Sequence, residues 1–435
     1  MSARAAGAGQ PRIGARPPAS LATAHRRVLV PYPLEAALSG VRLTPFSSDL
    51  PSGAPFDASN LDNGSTPCAF WYRRTFTAAP PAPGGRVYLR FEAVMSTAKV
   101  FLNGHLLGGH QGGYDDFSFE VSSLLKAGAE ANVLEVGVVN DALFHGKQFV
   151  KKFWAPGGIA YSTSSGIWQS VWLERLASGP LRLPCNAVVC CGPSRLLTRT
   201  VCLCAGTSIE SVVGSSWDDL SGLTINVTRE GALESPMGAR MRMADGVAAP
   251  PAACSFAAGA RHCLLRVPLP PQSRHPWTPQ SPFLFNFTLA LVGEKNQTLD
   301  SVHSYAALRT VGRLRSAEPG GKELTRLTLN GRRAYFIGTL DQGFWPEGVY
   351  TAPTDEALAS DLLTLKRLGF EAVRKHQKIE PRRFYYHCDR LGIAVIQDFP
   401  GGRGAFGNAS VEARFRAELR QMVRRTAAHP SGKIF

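Results

Sequence analysis

From about Val28 to Arg175 apolar and polar positions alternate in short runs separated by turn residues. Phe70-Trp71-Tyr72-Arg73-Arg74-Thr75-Phe76 and Val87-Tyr88-Leu89-Arg90-Phe91 carry the two-residue period of half-buried strands. Val133-Leu134-Glu135-Val136-Gly137-Val138 and Trp168-Gln169-Ser170-Val171-Trp172-Leu173 continue it. Between them Lys99-Val100-Phe101-Leu102 meets Asn103-Gly104, a pair that tolerates the positive φ of a tight hairpin. Regular strand spacing with no helical stretch predicts a sandwich or barrel. From about Leu181 to Arg313 the reading is again strand-like, with alternating runs at Leu223–Val227 and Phe283–Leu289. The Ala/Gly/Pro-rich stretch from Ala232 to Ala260 is expected to be a loose insertion.

After Arg313 the period becomes a mixture of two and 3.6, which predicts strands alternating with helices. A strand is expected at Ala334-Tyr335-Phe336-Ile337 and a helix from Asp355 to Leu368. Thr354 caps that helix, Asp355 and Glu356 occupy its first turn, Lys366 and Arg367 its last, and Gly369 follows. Ala372-Val373 reads as a second strand ending at Arg374, and a helix runs from Pro381 to Gly392. Ile393-Ala394-Val395-Ile396 reads as a third strand, and a helix with Phe415, Leu419 and Met422 on one face follows. Ile434-Phe435 would open a fourth strand. The pattern is the opening of a parallel β/α repeat.

Composition narrows the class. An apolar fraction of 44% and a charged fraction of 19% over 435 residues fit a globular protein of about three domains. No run approaches the ~18 apolar residues of a membrane helix, so no membrane span is expected. The net charge of +15 comes mostly from Arg scattered through every segment, without a nucleic-acid reader motif, which argues against a nucleic-acid partner. Nine cysteines include the crowded set Cys185, Cys190, Cys191, Cys202 and Cys204, with no matched zinc-ligand spacing, so small buried residues are expected there and no metal. Five Asn-x-Ser/Thr sequons stand at Asn63, Asn226, Asn286, Asn296 and Asn408. The segment 1–27, with Arg4, Arg12, Arg16, Arg26 and Arg27 and no acid, resembles an organelle transit segment; a disordered leader and a misread start are the alternatives.

Four stretches carry a family likeness in order. They are Val100-Phe101-Leu102-Asn103-Gly104, His110-Gln111-Gly112-Gly113-Tyr114 with Phe117-Ser118-Phe119, Gly146-Lys147-Gln148, and Ser165-Gly166-Ile167-Trp168-Gln169-Ser170-Val171-Trp172-Leu173-Glu174. Together they resemble the sugar-binding domain of family 2 glycoside hydrolases, the group of β-galactosidases, β-glucuronidases and β-mannosidases. Trp277-Thr278-Pro279 with Ser281–Phe285, and Ser304–Arg309, look like that family's immunoglobulin-like spacer. The resemblance implies a multidomain chain. A galactose-binding-like jelly-roll sandwich would span 28–177, an immunoglobulin-like β-sandwich 178–313, and an incomplete (β/α)8 TIM barrel 314–435. Tyr114, Trp154 and Tyr161 among Gly-rich loops would offer aromatic faces to a pyranose, unless they are core residues.

In such a barrel the reactive groups stand at the C-terminal strand ends. That rule selects Asp341 after the first strand, Arg374 and His376 after the second and Asp398 after the third. Gly338–Pro346, which includes Trp345, with Arg374-Lys375-His376 and Gln397-Asp398-Phe399-Pro400, resembles the start of the family's catalytic barrel. These side chains would then bind sugar hydroxyls; for Arg374 and Asp398 the alternative is a structural ion pair between adjacent strands. Retaining glycosidases use two carboxylates about 5–5.5 Å apart. The family places its acid/base in an Asn-Glu pair after the fourth strand, and no Asn-Glu occurs in the chain. The expectation is therefore a β-glycosidase, needing no cofactor, present here without its two catalytic glutamates, or a carbohydrate-binding protein without turnover.

Overall fold

Alternation along the front of the chain becomes antiparallel pairing. The computed structural model describes residues 27–41, 69–79, 85–126, 128–140, 152–153, 161–176, 220–228, 237–244, 247, 249–257, 260, 262–317, 323–401, 409–427 and 429–432. Two compact units divide the chain: Met1–Ser178 with Gly343–Pro353 and Pro400–Leu419, and Gly179–Gln342 with Thr354–Phe399 and Arg420–Phe435. The leader reading at 1–26, the crowded cysteines, Gly146-Lys147-Gln148, Asn63, Asn408 and Ile434-Phe435 lie outside the described residues.

The first unit contains β1 (Ala69–Phe76), β2 (Arg86–Phe91), β3 (Val94–Met95), β4 (Thr97–Leu102), β5 (His105–Gln111), β6 (Phe117–Glu120) and β7 (Asn132–Val139). It continues with β8 (Lys152–Phe153), β9 (Tyr161–Ser162), β10 (Gly166–Ile167) and β11 (Val171–Leu176). A four-stranded sheet in the order β1-β7-β4-β5 and a three-stranded sheet in the order β11-β2-β6 share one apolar core. Alternate residues build it: Val87, Leu89 and Phe91 from β2, Ala98, Val100 and Leu102 from β4, Val136 and Val138 from β7. Asn103 (φ 52°) and Gly104 (φ 80°) make the expected hairpin between β4 and β5. Gly166 (φ 92°) has no room for a side chain, because a Cβ would stand 1.9 Å from Tyr72 Oη. A buried carboxylate pins this region: Glu35 accepts from Ser165 N at 2.8 Å and from Ser165 Oγ at 2.6 Å.

In the second unit come β12 (Gly222–Thr228), β13 (Met237–Met243), β14 (Ala252–Phe256), β15 (His262–Pro268), β16 (Phe285–Val292) and β17 (Thr298–Ala306). Sheets β14-β13-β16-β17 and β12-β15 enclose a core that includes Phe285, Phe287, Leu289 and Leu291, every second residue of β16. The expectation of a loose insertion at 232–260 is corrected here. β13 pairs with β14 on one side and β16 on the other, placing Ala239, Met241, Ala252 and Phe256 in the core, and Cys254 forms a disulfide with Cys263. Small residues weaken the strand signal, while pairing with an apolar neighbour strand supplies what they lack.

A small sheet of β18 (Val311–Ala317), β19 (Glu323–Leu329) and β20 (Arg332–Arg333) leads to three parallel strands. These are β21 (Gly338–Asp341), β22 (Ala372–Lys375) and β23 (Ala394–Gln397), interleaved with α1 (Asp355–Arg367) and α2 (Arg382–Leu391). Thr354 Oγ1 accepts from Ala357 N at 3.1 Å, the expected cap of α1, and Gly392 ends α2 at φ 71°. The helix α3 (Ala409–Ala427) follows. The strand expected at Ala334–Ile337 is displaced to Gly338–Asp341, because the preceding hairpin holds Ala334 through Leu327 O and parallel pairing begins only at Gly338 opposite Ala372.

Candidate functional site

Parallel register lines up the C-terminal ends of the three strands in the second unit. Asp341, Lys375 and Gln397 lie side by side, His376 N donates to Asp341 O at 2.8 Å, and Asp398 N donates to Lys375 O at 3.1 Å. Consecutive residues of a strand face opposite sides, so Arg374 and Lys375 diverge and each gathers its own group.

Arg374 belongs to the first group. Its Nη2 lies 2.9 Å from Asp398 Oδ2, and its Nε donates to Asp398 Oδ1 at 3.2 Å. This two-point clamp fixes the carboxylate plane. His376 Nδ1 lies 2.6 Å from the same Oδ2. Burial pulls the Asp398 carboxyl pKa upward, but hydrogen bonds from Arg374 and His376 outweigh it, so it lies below its ordinary value. The Arg374 side chain is half exposed, leaving guanidinium N–H groups within reach of a ligand.

The second group lies toward α2. Lys375 is fully buried, with its ammonium 4.7 Å from the centre of the Phe384 ring. Nζ lies 2.6 Å from Glu380 Oε1 and 2.9 Å from Asp341 Oδ2. Lys378 Nζ lies 2.9 Å from the other Glu380 oxygen. Burial would lower the Lys375 pKa, but Glu380 and Asp341 more than restore it and hold it above the ordinary lysine value. For Lys378 burial wins over Glu380, and the pKa falls to about 8. Behind them Tyr385 Oη donates to Gln397 Oε1 at 2.6 Å, while Gln397 Nε2 donates to Lys378 O and Asp398 O, each at 2.8 Å.

Of the residues singled out in the sequence, Arg374, His376 and Asp398 therefore come together. Asp341 stands at the same end of the sheet, yet it is paired to Lys375 on the helix-facing side and not to Arg374. Tyr114 departs from expectation. It is fully buried in the first unit, with its hydroxyl 2.5 Å from that of Tyr350 and its ring edge-on to Trp168, so it has no face for a sugar. Trp345, half-buried in the first unit, exchanges backbone hydrogen bonds with Val349, both at 2.9 Å. Tyr161 stacks on Phe344 with ring centres 3.9 Å apart. Trp154 lies outside the described residues. Among the described residues no three His, Cys, Asp or Glu side chains gather as metal ligands.

The sequence motifs contain Lys375 and Gln397 without giving either a role of its own, and Lys378, Glu380 and Tyr385 belong to none of them. Their signal was present: a strand ending in Lys-His, then Lys378 and Glu380 before a proline, puts more charge into an apolar stretch than a solvated turn requires.

Comparison with known proteins follows the same outline. Residues 55–157 match the family model described as glycosyl hydrolase 2 galactose-binding domain-like. A β-galactosidase of Thermoanaerobacter pseudethanolicus is 25% identical over 365 residues, covering 83% of this chain and 43% of that protein. A β-glucuronidase of Bacteroides fragilis is 24% identical over 370 residues, covering 83% of this chain and 48% of that protein. The chain thus spans less than half the length of these curated relatives. A solved glycosyl hydrolase family 2 member from Bacteroides cellulosilyticus shares the fold over 97% of this chain and 50% of its own, with a TM-score of 0.64 and 18% identity. The matched front domain, the relatives that extend the match across most of the chain and the shared fold agree in supporting a likeness of this chain to glycoside hydrolase family 2.

Proposed function

We propose that this chain is the sugar-binding front part of a retaining β-glycosidase machinery, and that by itself it binds a β-glycoside without hydrolysing it. On this reading 28–177 is a jelly-roll sandwich, 178–313 an immunoglobulin-like sandwich and 314–435 the first three β/α steps of a (β/α)8 barrel. The observation that carries it is the convergence of Arg374, His376 and Asp398 at the C-terminal end of the parallel strands, where barrel enzymes place substrate groups. A half-exposed guanidinium that donates and an ionised carboxylate that accepts suit the vicinal hydroxyls of a pyranose. Asp341 supplies a second acceptor at the same end.

General-acid assistance and covalent catalysis each require a positioned carboxylate. Asp398 is committed to Arg374 and His376, and no Asn-Glu pair occurs in the 435 residues. The second reading is a carbohydrate-binding protein without turnover; an in-frame transcript extending past codon 435 with an Asn-Glu pair would decide against it.

The test is to purify residues 1–435 and assay aryl β-galactosides, β-glucuronides, β-mannosides and β-glucosides beside a vector-only control. Titration calorimetry with the matching methyl glycosides runs in parallel. Binding without turnover is expected, with a loss of at least about tenfold in Arg374→Ala, the size of one charge-assisted hydrogen bond. Turnover above the control that vanishes in Asp398→Asn overturns the reading.

A further inference from the structure

We propose that Lys375 is a positioning residue whose buried ammonium, anchored by Glu380, holds the Asp341 carboxylate ionised and in place at the C-terminal end of the sheet. The inference rests on the reading of that end as the sugar-binding face and names what holds Asp341 there.

Desolvating an ammonium is expensive, and a well-packed apolar side chain at such a position is often as stable or more so. The Phe384 ring lies 4.7 Å from the ammonium, and buried Val373 and Val395 stand two residues earlier on the same face of β22 and β23, an environment that would accept such a side chain. Stability alone therefore gives no reason for a lysine here. Its two carboxylate partners differ: the Glu380 side chain is 3% exposed and already has Lys378, whereas that of Asp341 is 31% exposed and opens to solvent. Lys375 is thus the link from an enclosed charge pair to a carboxylate at the surface.

Charge counting gives the same direction. Lys375 and Lys378 carry two positive charges, and Glu380 and Asp341 carry two negative ones. Lys375 Nζ touches Asp341 while Lys378 Nζ touches Glu380, so protonating Asp341 would deprive the buried Lys375 ammonium of its second counter-charge, and that contact favours the ionised acceptor. Among the described residues, Asp361 from α1 and Cys388 from α2 also act on this carboxylate. Burial and then repulsion from Asp341 raise the Asp361 pKa, and burial raises that of the Cys388 thiol, so neither replaces Lys375 as a source of positive charge. The backbone of Lys375 adds to the arrangement, because its carbonyl receives Asp398 N while Asp341 O receives the next amide, His376 N.

The test compares wild type with Lys375→Met and with the charge-balanced Lys375→Met/Glu380→Gln, all as residues 1–435. Asp341 is followed by its side-chain ¹³C carboxyl resonance, assigned by its loss in Asp341→Asn. The expected result is a titration midpoint raised by about one pH unit or more in the variants, with the Asp398 midpoint unmoved because Arg374 and His376 remain. The double variant keeps a balanced cluster with Lys378, so it reports even where Lys375→Met alone fails to fold. A folded double variant with an unchanged Asp341 midpoint overturns the proposal. Binding of methyl β-D-galactoside and methyl β-D-glucuronide across pH is the second readout, and the acid limb should move upward by the same amount. Absence of wild-type binding to either would count against the sugar-binding reading, while the carboxyl titration would still judge Lys375.

Discussion

Within the second unit, the antiparallel sandwich has an apolar interior, whereas the parallel strands set buried charges among their apolar side chains. The core between β14-β13-β16-β17 and β12-β15 is apolar, built from residues such as Phe285, Leu289 and Val302. Around β22 and α2 the buried groups include Lys375, Lys378, Glu380, Asp389 and His429. Apolar packing has no direction and tolerates exchange, whereas each buried charge needs a partner at a set distance. The sandwich needs only to fold, while the parallel strands must also hold polar groups at one sheet end.

The hub of the polar region offers the sharpest way to break this comparison. Asp389, fully buried on α2, accepts from Tyr305 Oη at 2.6 Å and from Ser431 N at 2.8 Å, and its Oδ2 lies 2.7 Å from His429 Nδ1. Its own carbonyl takes Trp277 Nε1 at 2.8 Å, so this one residue ties the sandwich chain to the β/α chain. Asp389→Ala should cost about 3–5 kcal/mol, as losing one member of a buried charged network does, read from urea unfolding. A loss below about 1 kcal/mol would show the network to be incidental.

The matching deletion in the apolar core is Leu289→Ala, at a position 1% exposed. A loss of about 3 kcal/mol is expected from transfer and cavity terms, and it should be equal at pH 5 and pH 8 because the core cluster around it is apolar among the described residues. A pH-dependent loss there would blur the distinction between the two regions.

The smallest effect concerns Asp355 at the start of α1, whose Oδ1 accepts from Arg383 Nε at 2.8 Å and lies 3.0 Å from His387 Nε2. Hydrogen bonding from Arg383, then His387, outweighs partial burial and lowers its pKa to about 2. A depressed carboxylate contributes stability that is full above its unfolded pKa near 4 and lost as pH falls toward 2. Since the Asp355 side chain is 38% exposed and its ion pair is screened by water, Asp355→Asn should cost no more than about 1 kcal/mol at pH 7. The difference from wild type should shrink between pH 4 and pH 2 in acid unfolding. A constant difference across that window would remove the ion pair from the account.

Much of this architecture was legible in local chemistry. Period-two alternation located β2, β7 and β16, Asn103-Gly104 located a hairpin, and the cap at Thr354 with Gly392 bounded the helices. Arg374, His376 and Asp398 followed from the rule that parallel strands present chemistry at their C-terminal ends. These signals operate within a few residues, so the chain order alone determined them. Tertiary pairing decided the rest. β13 and β14 became strands because neighbours complete them, β21 began four residues late because the preceding hairpin held the chain, and Tyr114 entered the core because Trp168 and Tyr350 enclose it. Asp341 turned to Lys375 because register placed the two side by side on the helix-facing side of the sheet. Which charges share a buried volume depends on register and layer packing between distant segments, and no period along the sequence carries that information.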